Sequence, residues 1–340
     1  MLSDFTYTQR DRDFYQTYIA PRLPARLWDV HQHMTLPEQL ARMDPAMIRA
    51  DWAIQCGMAM SFEDYDRFRS TVYPGVSVSV TAFGNVVRGA DHAANNAYIA
   101  SLLGQHKIET GFLVLDPSVS AAQTERLYDE GGFCGYKPYA DMVAGAKGAD
   151  VTFPEFMPPD HMRLLNERQG KLMLHVPRPG RLPDDRNIRE LLELRQQYPD
   201  ITIIIAHMGR SYCPGTLTQA LDKLGAHVNE FHYDFAAVLN PAVMQVALAR
   251  IDHDRIHYGT DLPVFWWHGR RRWTETQYFN LAREDFDWNR HEDREHEAEY
   301  TLFLYEQLKN LLDVTGQATD PAALRQQIFY ANSAALFGRG

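Results

Sequence analysis

The chain has 340 residues, of which 45% are hydrophobic and 23% charged, and its formal net charge is −10. This composition is typical of a soluble globular protein, and the acidic balance argues against a nucleic-acid partner. The N-terminus shows no secretory pattern, and no apolar stretch approaches the roughly 20 residues that span a bilayer. Because Cys56, Cys134 and Cys213 form no CxxC pair, a reducing, cytoplasmic location without membrane partners is expected.

Segments with the pattern of strands alternate along the chain with segments of helical pattern. After a polar arm at residues 1–26, strands are predicted at 27–33, 76–81, 111–117, 133–138, 171–175, 201–206, 227–233 and 255–260. Helices are predicted within 37–60 and at 91–105, 155–169, 184–198, 241–250, 296–311 and 321–337. Units of roughly 30 residues that alternate in this way predict an α/β fold, a distorted (β/α)8 TIM barrel over 27–338.

The segment 262–295 differs in composition from an ordinary connection. It holds the arginine run 270–272 and four tryptophans, which are Trp266, Trp267, Trp273 and Trp288. A long loop of this kind is usually functional or disordered, and the density of aromatic residues argues against disorder. An ordered lid over the site is therefore predicted after the eighth strand, with the barrel rim, a substrate or a second subunit of a homo-oligomer covering the indoles.

Potential metal ligands stand at the ends of four predicted strands, the first, fifth, sixth and eighth. They are His31 and His33, then His175, His207 and Asp261. Residues two apart on a strand point to the same side, so both imidazoles of the first strand can reach one ion. Nitrogen and oxygen ligands that leave one position open are typical of a catalytic zinc or a related divalent ion, which activates a bound water and polarises a carbonyl group.

Each of these residues also has a plainer interpretation. The histidines could line the barrel, with His175 satisfied by a backbone group, and Asp261 could cap the next helix. The plainer interpretation becomes unfavourable when all the strand ends are considered together, because the ends of parallel barrel strands meet at one rim. The pattern therefore favours a metal-dependent enzyme over a binding or scaffolding protein.

Several further residues are candidates for contact with a small-molecule substrate. Arg178 and Arg210 follow the fifth and sixth strands, and an arginine fork can hold a carboxylate in two-point contact. The run 270–272 is interpreted equally well as solvated loop charge. Tyr139, Trp266 and Trp267 could form a wall that stacks on a ring, with core packing as the alternative.

Taken together, these motifs resemble the amidohydrolase superfamily, in its amidohydrolase-related (type 2) branch, which includes aminocarboxymuconate semialdehyde decarboxylase and sugar lactonases. The resemblance covers residues 27–338. It rests on the Asp-x-His-x-His opening, the strand-end histidines, and the segments 135–137, 206–209, 255–263 and 330–338.

The resemblance implies a role for each residue of the site. His31, His33, His175 and Asp261 match the ligands of a single divalent ion, with zinc expected first and manganese second. His207 matches a histidine that contacts water or substrate, and Asp261 doubles as a proton acceptor in hydrolytic members. Lys137 matches the position of a carboxylated, metal-bridging lysine in binuclear relatives, although in this branch it more often contacts substrate.

Two reaction classes follow from the resemblance. The sequence favours hydrolysis of an ester, lactone or amide bond in a small polar molecule that carries an acidic group. The alternative is metal-dependent, non-oxidative decarboxylation of a small carboxylic acid. Arg210 stands where decarboxylases of this branch carry a glycine run after the strand-six histidine, and the long segment after Asp261 is a second departure from their pattern.

Overall fold

The computed structural model describes residues 5–143 and 150–338. Eight parallel strands form one sheet in chain order: β1 (Arg26–His33), β2 (Ser77–Phe83), β3 (Thr110–Leu115), β4 (Gly135–Pro138), β5 (Lys171–Leu174), β6 (Thr202–Ile205), β7 (His232–Asp234) and β8 (Ile256–His257). The Val30 amide donates to the carbonyl of Tyr258 (3.1 Å), and the His33 amide donates to that of Leu262 (2.9 Å). These bonds join β1 to the segment after β8, so the predicted (β/α)8 barrel is confirmed.

Helices surround the sheet and connect its strands. They are α1 (Gln9–Phe14), α2 (Pro45–Ala50), α3 (Trp52–Gln55), α4 (Phe62–Val72), α5 (His92–Gly104), α6 (Ala121–Gly131), α7 (Phe153–Phe156), α8 (Pro159–Glu167), α9 (Asp185–Gln197), α10 (His207–Arg210), α11 (Pro214–Leu224), α12 (Pro241–Arg250), α13 (Phe303–Thr315), α14 (Pro321–Gln326) and α15 (Asn332–Leu336). In the described part of the chain, no helix combines the length and the apolar character of a membrane span.

Three of the predicted boundaries are wrong for reasons that the structure shows. The region 37–60 holds a 3-10 turn and the short helices α2 and α3, because Asp44 and Asp51 each cap a new helix start. Residues 225–230 form a 3-10 turn, so β7 begins at His232. The last long helix, α13, begins at Phe303 instead of residue 296, where the charged run gives way to an apolar one.

The segment after β8 is ordered and partly forms the core. It contains an antiparallel hairpin of β9 (Gly269–Trp273) and β10 (Tyr278–Ala282). The indole of Trp267 is fully buried and stacks on Phe303, with 4.1 Å between the ring centroids. Trp266 is also buried and donates its indole N–H to the carbonyl of Cys56. Core packing, the alternative considered for these two tryptophans, is therefore what the structure shows.

A buried ion-pair cluster ties the N-terminal arm to this segment. The Asp11 carboxylate accepts a hydrogen bond from the Leu302 amide (3.1 Å) and lies 2.9 Å from Nε2 of His268. Nδ1 of the same imidazole lies 2.8 Å from Oε1 of Glu284, and the Arg283 guanidinium is adjacent. Removal from water alone would lower the pKa of His268, but the hydrogen bonds to Asp11 and Glu284 outweigh it and the pKa is raised.

We expect the cluster to make the stability of the protein depend on pH. Because the pKa of His268 is higher in the folded chain, its stabilisation is complete below the unfolded pKa of ~6.5 and is lost as the pH rises through the folded value. The variant His268→Gln should lose about 1–3 kcal/mol of unfolding free energy at pH 5.5 and less at pH 8.5. Urea unfolding at both pH values measures this. An equal loss at the two values would contradict the prediction, and His227→Gln, at an exposed ion pair, is the control.

Candidate metal centre and active site

A cavity of about 410 Å³ opens at the carboxyl ends of the barrel strands. Its volume lies in the range of small-molecule sites. The structure brings eight of the predicted site residues to its wall, namely His31, His33, Lys137, Tyr139, His175, His207, Arg210 and Asp261. They come from β1, β4 and the segments after β4, β5, β6 and β8, which is the rim where barrel enzymes carry their chemistry.

A cluster of imidazoles surrounds one carboxylate in this cavity. Oδ1 of Asp261 lies 3.4 Å from Nε2 of His31 and 3.4 Å from Nε2 of His33. Ligand atoms of His31, His207 and Asp261 all lie within 4.8 Å of one another. Spacing of this order is compatible with a divalent ion held between nitrogen and oxygen donors.

The imidazoles are oriented by hydrogen bonds at their other nitrogen. Nδ1 of His33 donates to the carbonyl of Gly84 (3.0 Å), and Nδ1 of His207 donates to that of Ala236 (3.0 Å). A carbonyl oxygen can accept but not donate, so Nδ1 carries the proton and the Nε2 lone pair is left available. Metal-binding histidines are typically held in this way, and the donor set therefore fits a divalent ion.

His31 is held by a carboxylate instead of a carbonyl. Its Nδ1 lies 2.8 Å from Oδ2 of Asp234, the last residue of β7. The other oxygen of Asp234 accepts hydrogen bonds from the amides of His207 (2.6 Å) and Ala236 (3.1 Å). Burial raises the pKa of Asp234 to about 6. Sequence analysis missed this residue, although its position at a strand end was an available signal, because the predicted seventh strand stopped at residue 233.

His175 lies beside the cluster, next to His207. Their ring centroids are 5.5 Å apart, and Nε2 of His175 is 3.5 Å from the hydroxyl of Tyr139. Among the described residues, the group with the tightest ligand spacing thus contains His207, for which sequence analysis expected a catalytic role, and not His175. Removal from water, followed by the charge of Arg210, lowers the pKa of His175 and keeps the imidazole neutral.

The pKa values of two ionisable side chains at the cavity, Asp261 and Lys137, are both lowered by their surroundings. Burial would raise the pKa of Asp261, but the imidazoles of His207, His33 and His31 outweigh it and the pKa is lowered. Burial lowers the pKa of Lys137 to about 8. Its Nζ lies 3.5 Å from Nε2 of His31 and 4.9 Å from the ring centre of Phe83. The floor therefore presents an ionised carboxylate and an amine that can change protonation near neutral pH.

Backbone strain is concentrated at this rim. All four residues of α10 have positive φ, from 50° at Met208 to 66° at Gly209, and Asp261 has φ 66°. A side chain at Gly209 would place its Cβ 2.4 Å from the Cβ of Leu182, so glycine is required there for space as well as conformation. Strained backbone of this kind costs about 1–3 kcal/mol per residue and is typical of functional sites.

Arg178 does not line the cavity, and the structure does not bring it to the other predicted site residues. It is buried and donates to Asn187 Oδ1 (2.6 Å) and to both carboxylate oxygens of Glu190 (2.9 Å). Both acceptors lie on α9, so this arginine fastens the loop after β5 to the helix that follows. Arg210 does line the cavity and donates to the carbonyls of Val176 and Arg178.

Three further arginines line the cavity as well: Arg88, Arg181 and Arg271, the last of which belongs to the run 270–272. The run 270–272 is split between surface and site. Arg270 and Arg272 pair with Asp293 and Glu292, whereas Arg271 is buried in the cavity wall. Alternation along β9 explains the division, because successive side chains of a strand point to opposite faces.

Comparison with solved structures shows similarity over nearly the whole chain. The fold is similar to that of 2,6-dihydroxybenzoate decarboxylase from Rhizobium (TM-score 0.56, 13% identity, 92% of this chain and 98% of that chain). It is also similar to dihydroxybenzoic acid decarboxylase from Polaromonas sp. JS666 with bound manganese and 2-nitroresorcinol (0.54, 17%, 92% and 96%), and to 4-oxalomesaconate hydratase from Rhodopseudomonas palustris (0.57, 16%, 92% and 96%). Identities this low establish the fold alone.

Sequence comparison places the chain more firmly. No curated protein sequence matches it, but the profile of the amidohydrolase family Amidohydro_2 matches residues 28–339. The matched range includes every strand of the barrel except the first two residues of β1, and all the residues of the imidazole cluster. The chain therefore belongs to this amidohydrolase family, and the protein is an enzyme of the amidohydrolase superfamily.

Proposed function

We propose that the protein is a metal-dependent, non-oxidative decarboxylase of a small carboxylic acid. One observation carries the proposal: a cluster of imidazoles and a carboxylate lies in the same cavity as several arginines. Two of the similar structures described above are decarboxylases, one of them with manganese. These comparisons favour decarboxylation over hydrolysis, the reaction that the sequence placed first.

One divalent ion would be held by His31, His33, His175 and Asp261, with His207 beside them. Imidazole and carboxylate ligands suit both zinc and manganese. When bound, the ion supplies positive charge that orients the substrate and stabilises the negative charge that develops as CO₂ leaves.

The chain itself binds the acid and delivers a proton. Arg210 attracts the anionic substrate, and Tyr139 provides an apolar wall beside it. As the bond to the carboxyl carbon breaks, its electron pair remains on the substrate carbon and forms a new bond to a proton. His207 is placed to carry that proton on Nε2, because Nδ1 is already committed to the carbonyl of Ala236. The products are CO₂ and the substrate with a hydrogen atom in place of its carboxyl group.

Hydrolysis is the second candidate, and the state of Asp261 favours it. A carboxylate whose pKa is lowered remains ionised and can accept the proton of an attacking water. His207, protonated on Nε2, would then stabilise the oxyanion that forms at the carbonyl under attack. The two reactions use the same residues but differ in products.

The metal proposal predicts the metal content of variants. The double variant His31→Ala, His33→Ala should contain far less zinc or manganese than the wild type, because two of the proposed ligands are lost. Elemental analysis of protein purified with each metal added measures this. His253→Ala, at an exposed surface turn, serves as the matched control. Equal metal content in the double variant and the wild type would contradict the prediction.

Asp234 should matter for metal affinity although it is not a proposed ligand. Asp234→Asn replaces the carboxylate that holds His31 by a neutral amide, and loss of such an outer partner typically weakens metal binding 10- to 100-fold. Competition with a chromogenic chelator measures the dissociation constant. Asp222→Asn, at an exposed ion pair, controls for the loss of one charge. An unchanged constant for Asp234→Asn would show that its role is confined to packing.

The reaction class is tested by product analysis. With manganese or zinc added, aryl carboxylates should release CO₂, and sugar lactones should not be hydrolysed. His207→Gln should slow CO₂ release by a factor of about 100 or more, the usual contribution of a proton-transferring group, while the metal content is retained. Lactone hydrolysis without CO₂ release would instead establish the second candidate.

A further inference from the structure

The β9–β10 hairpin places a buried arginine in the wall of the cavity. Arg271 is 5% exposed, and its guanidinium donates to Asn280 Oδ1 (2.8 Å) and to the carbonyl of Ala237 (2.7 Å). Neither acceptor is a carboxylate. A buried cation without an anionic partner is costly, and burial correspondingly lowers the pKa of Arg271.

A second arginine approaches the same place from the loop after β5. The guanidinium carbon of Arg181 lies 5.5 Å from the ring centres of both Tyr212 and Tyr278. That of Arg271 lies 5.2 Å and 4.5 Å from the same two rings. The two cations therefore lie beside the same pair of aromatic rings. The positive charge of Arg181 contributes to the lowered pKa of Arg271.

No protein carboxylate neutralises this pair in the described part of the chain. Asp51, Asp141 and Asp261 also line the cavity, yet none forms an ion pair with Arg181 or Arg271 among residues 5–143 and 150–338. Like charges that are held together beside a cavity attract an anion, which receives charge-assisted hydrogen bonds from both.

The anion site lies close to the imidazole cluster. The carbonyl of Ala236 accepts the Nδ1 proton of His207, and the next carbonyl, that of Ala237, accepts from Arg271. Adjacent peptide groups of the loop after β7 thus hold a cluster imidazole and an arginine of the pair. One small molecule can reach both, since both line the same cavity of about 410 Å³.

We propose that Arg181 and Arg271 form a carboxylate subsite, so that the substrate is a small dicarboxylic acid. One carboxyl group lies at the imidazole cluster and reacts, and the second is held by the arginine pair beside Tyr212 and Tyr278. The assignment of the reacting group rests on the proposed function, whereas binding of the second carboxylate does not.

Binding of matched acids tests the subsite without any need for turnover. Isothermal titration of the manganese-loaded protein compares benzoate with isophthalate, and butyrate with glutarate. At least one diacid should bind about tenfold or more tightly than its monoacid, on the scale of a charged hydrogen bond. Arg271→Gln and Arg181→Gln should each abolish this preference.

The neighbouring residue on the hairpin provides the matched control. Arg272 is exposed and pairs with Glu292, so Arg272→Gln removes the same charge and should keep the diacid preference. Thermal unfolding of each variant reports whether the hairpin remains folded, and Arg181→Gln tests the subsite if Arg271→Gln unfolds. Equal binding of acid and diacid throughout, or a preference retained in both cavity variants, would overturn the proposal. Diacid binding without CO₂ release would overturn the proposed reaction and leave the subsite standing.

Discussion

The carboxylate of Asp234 holds together the part of the molecule on which the chemistry depends. It bonds to the imidazole of His31 on β1, to the backbone amide of His207 after β6, and to the amide of Ala236 after β7. One buried side chain therefore sets the orientation of a proposed ligand, the path of a strained turn and the start of the loop whose Ala237 carbonyl accepts a hydrogen bond from Arg271. Its three hydrogen bonds offset part of the cost of removing the carboxylate from water.

A second buried carboxylate has a related role on the other side of His31. Asp29 accepts hydrogen bonds from the His31 amide (3.1 Å) and from the amide and hydroxyl of Thr260. It thereby joins β1 to the segment after β8, next to Asp261. Burial raises the pKa of Asp29 to about 7. Of the two aspartates, Asp29 closes the barrel at the site, while Asp234 orients the groups that face the cavity.

The positive φ angles at the rim of the barrel help to bring the polar side chains of the site together. His207, Arg210, Ala237 and Asp261 all line the cavity and all lie in the left-handed region. Residues in regular strands would turn alternate side chains away from the mouth of the barrel. Left-handed turns immediately after β6, β7 and β8 instead bring several polar groups to one point, and the packed barrel beneath them holds the strain.

The sequence predicted the barrel and eight of the residues that line the cavity, because both depend on local patterns. Buried runs such as β6 and the strand-end positions of His31, His33 and Asp261 are legible without tertiary contacts. The partner of Arg178 was not, because Glu190 lies 12 residues further along the chain, on α9. The sequence pattern also could not show that Arg271 is buried while Arg270 and Arg272 face the surface, because this depends on the pairing of the β9–β10 hairpin. Asp234 was missed because the predicted seventh strand ended one residue too early, at residue 233.

A crystal structure of the manganese-loaded protein, with anomalous data collected near the manganese edge, tests the central claim most directly. The account predicts a single anomalous peak at the carboxyl ends of the strands, with Nε2 of His31 and His33 and a carboxylate oxygen of Asp261 within about 2.0–2.3 Å of it, the range of such bonds. Asp234 should remain on Nδ1 of His31. A peak bound through Nδ1, or placed away from these side chains, would contradict the account.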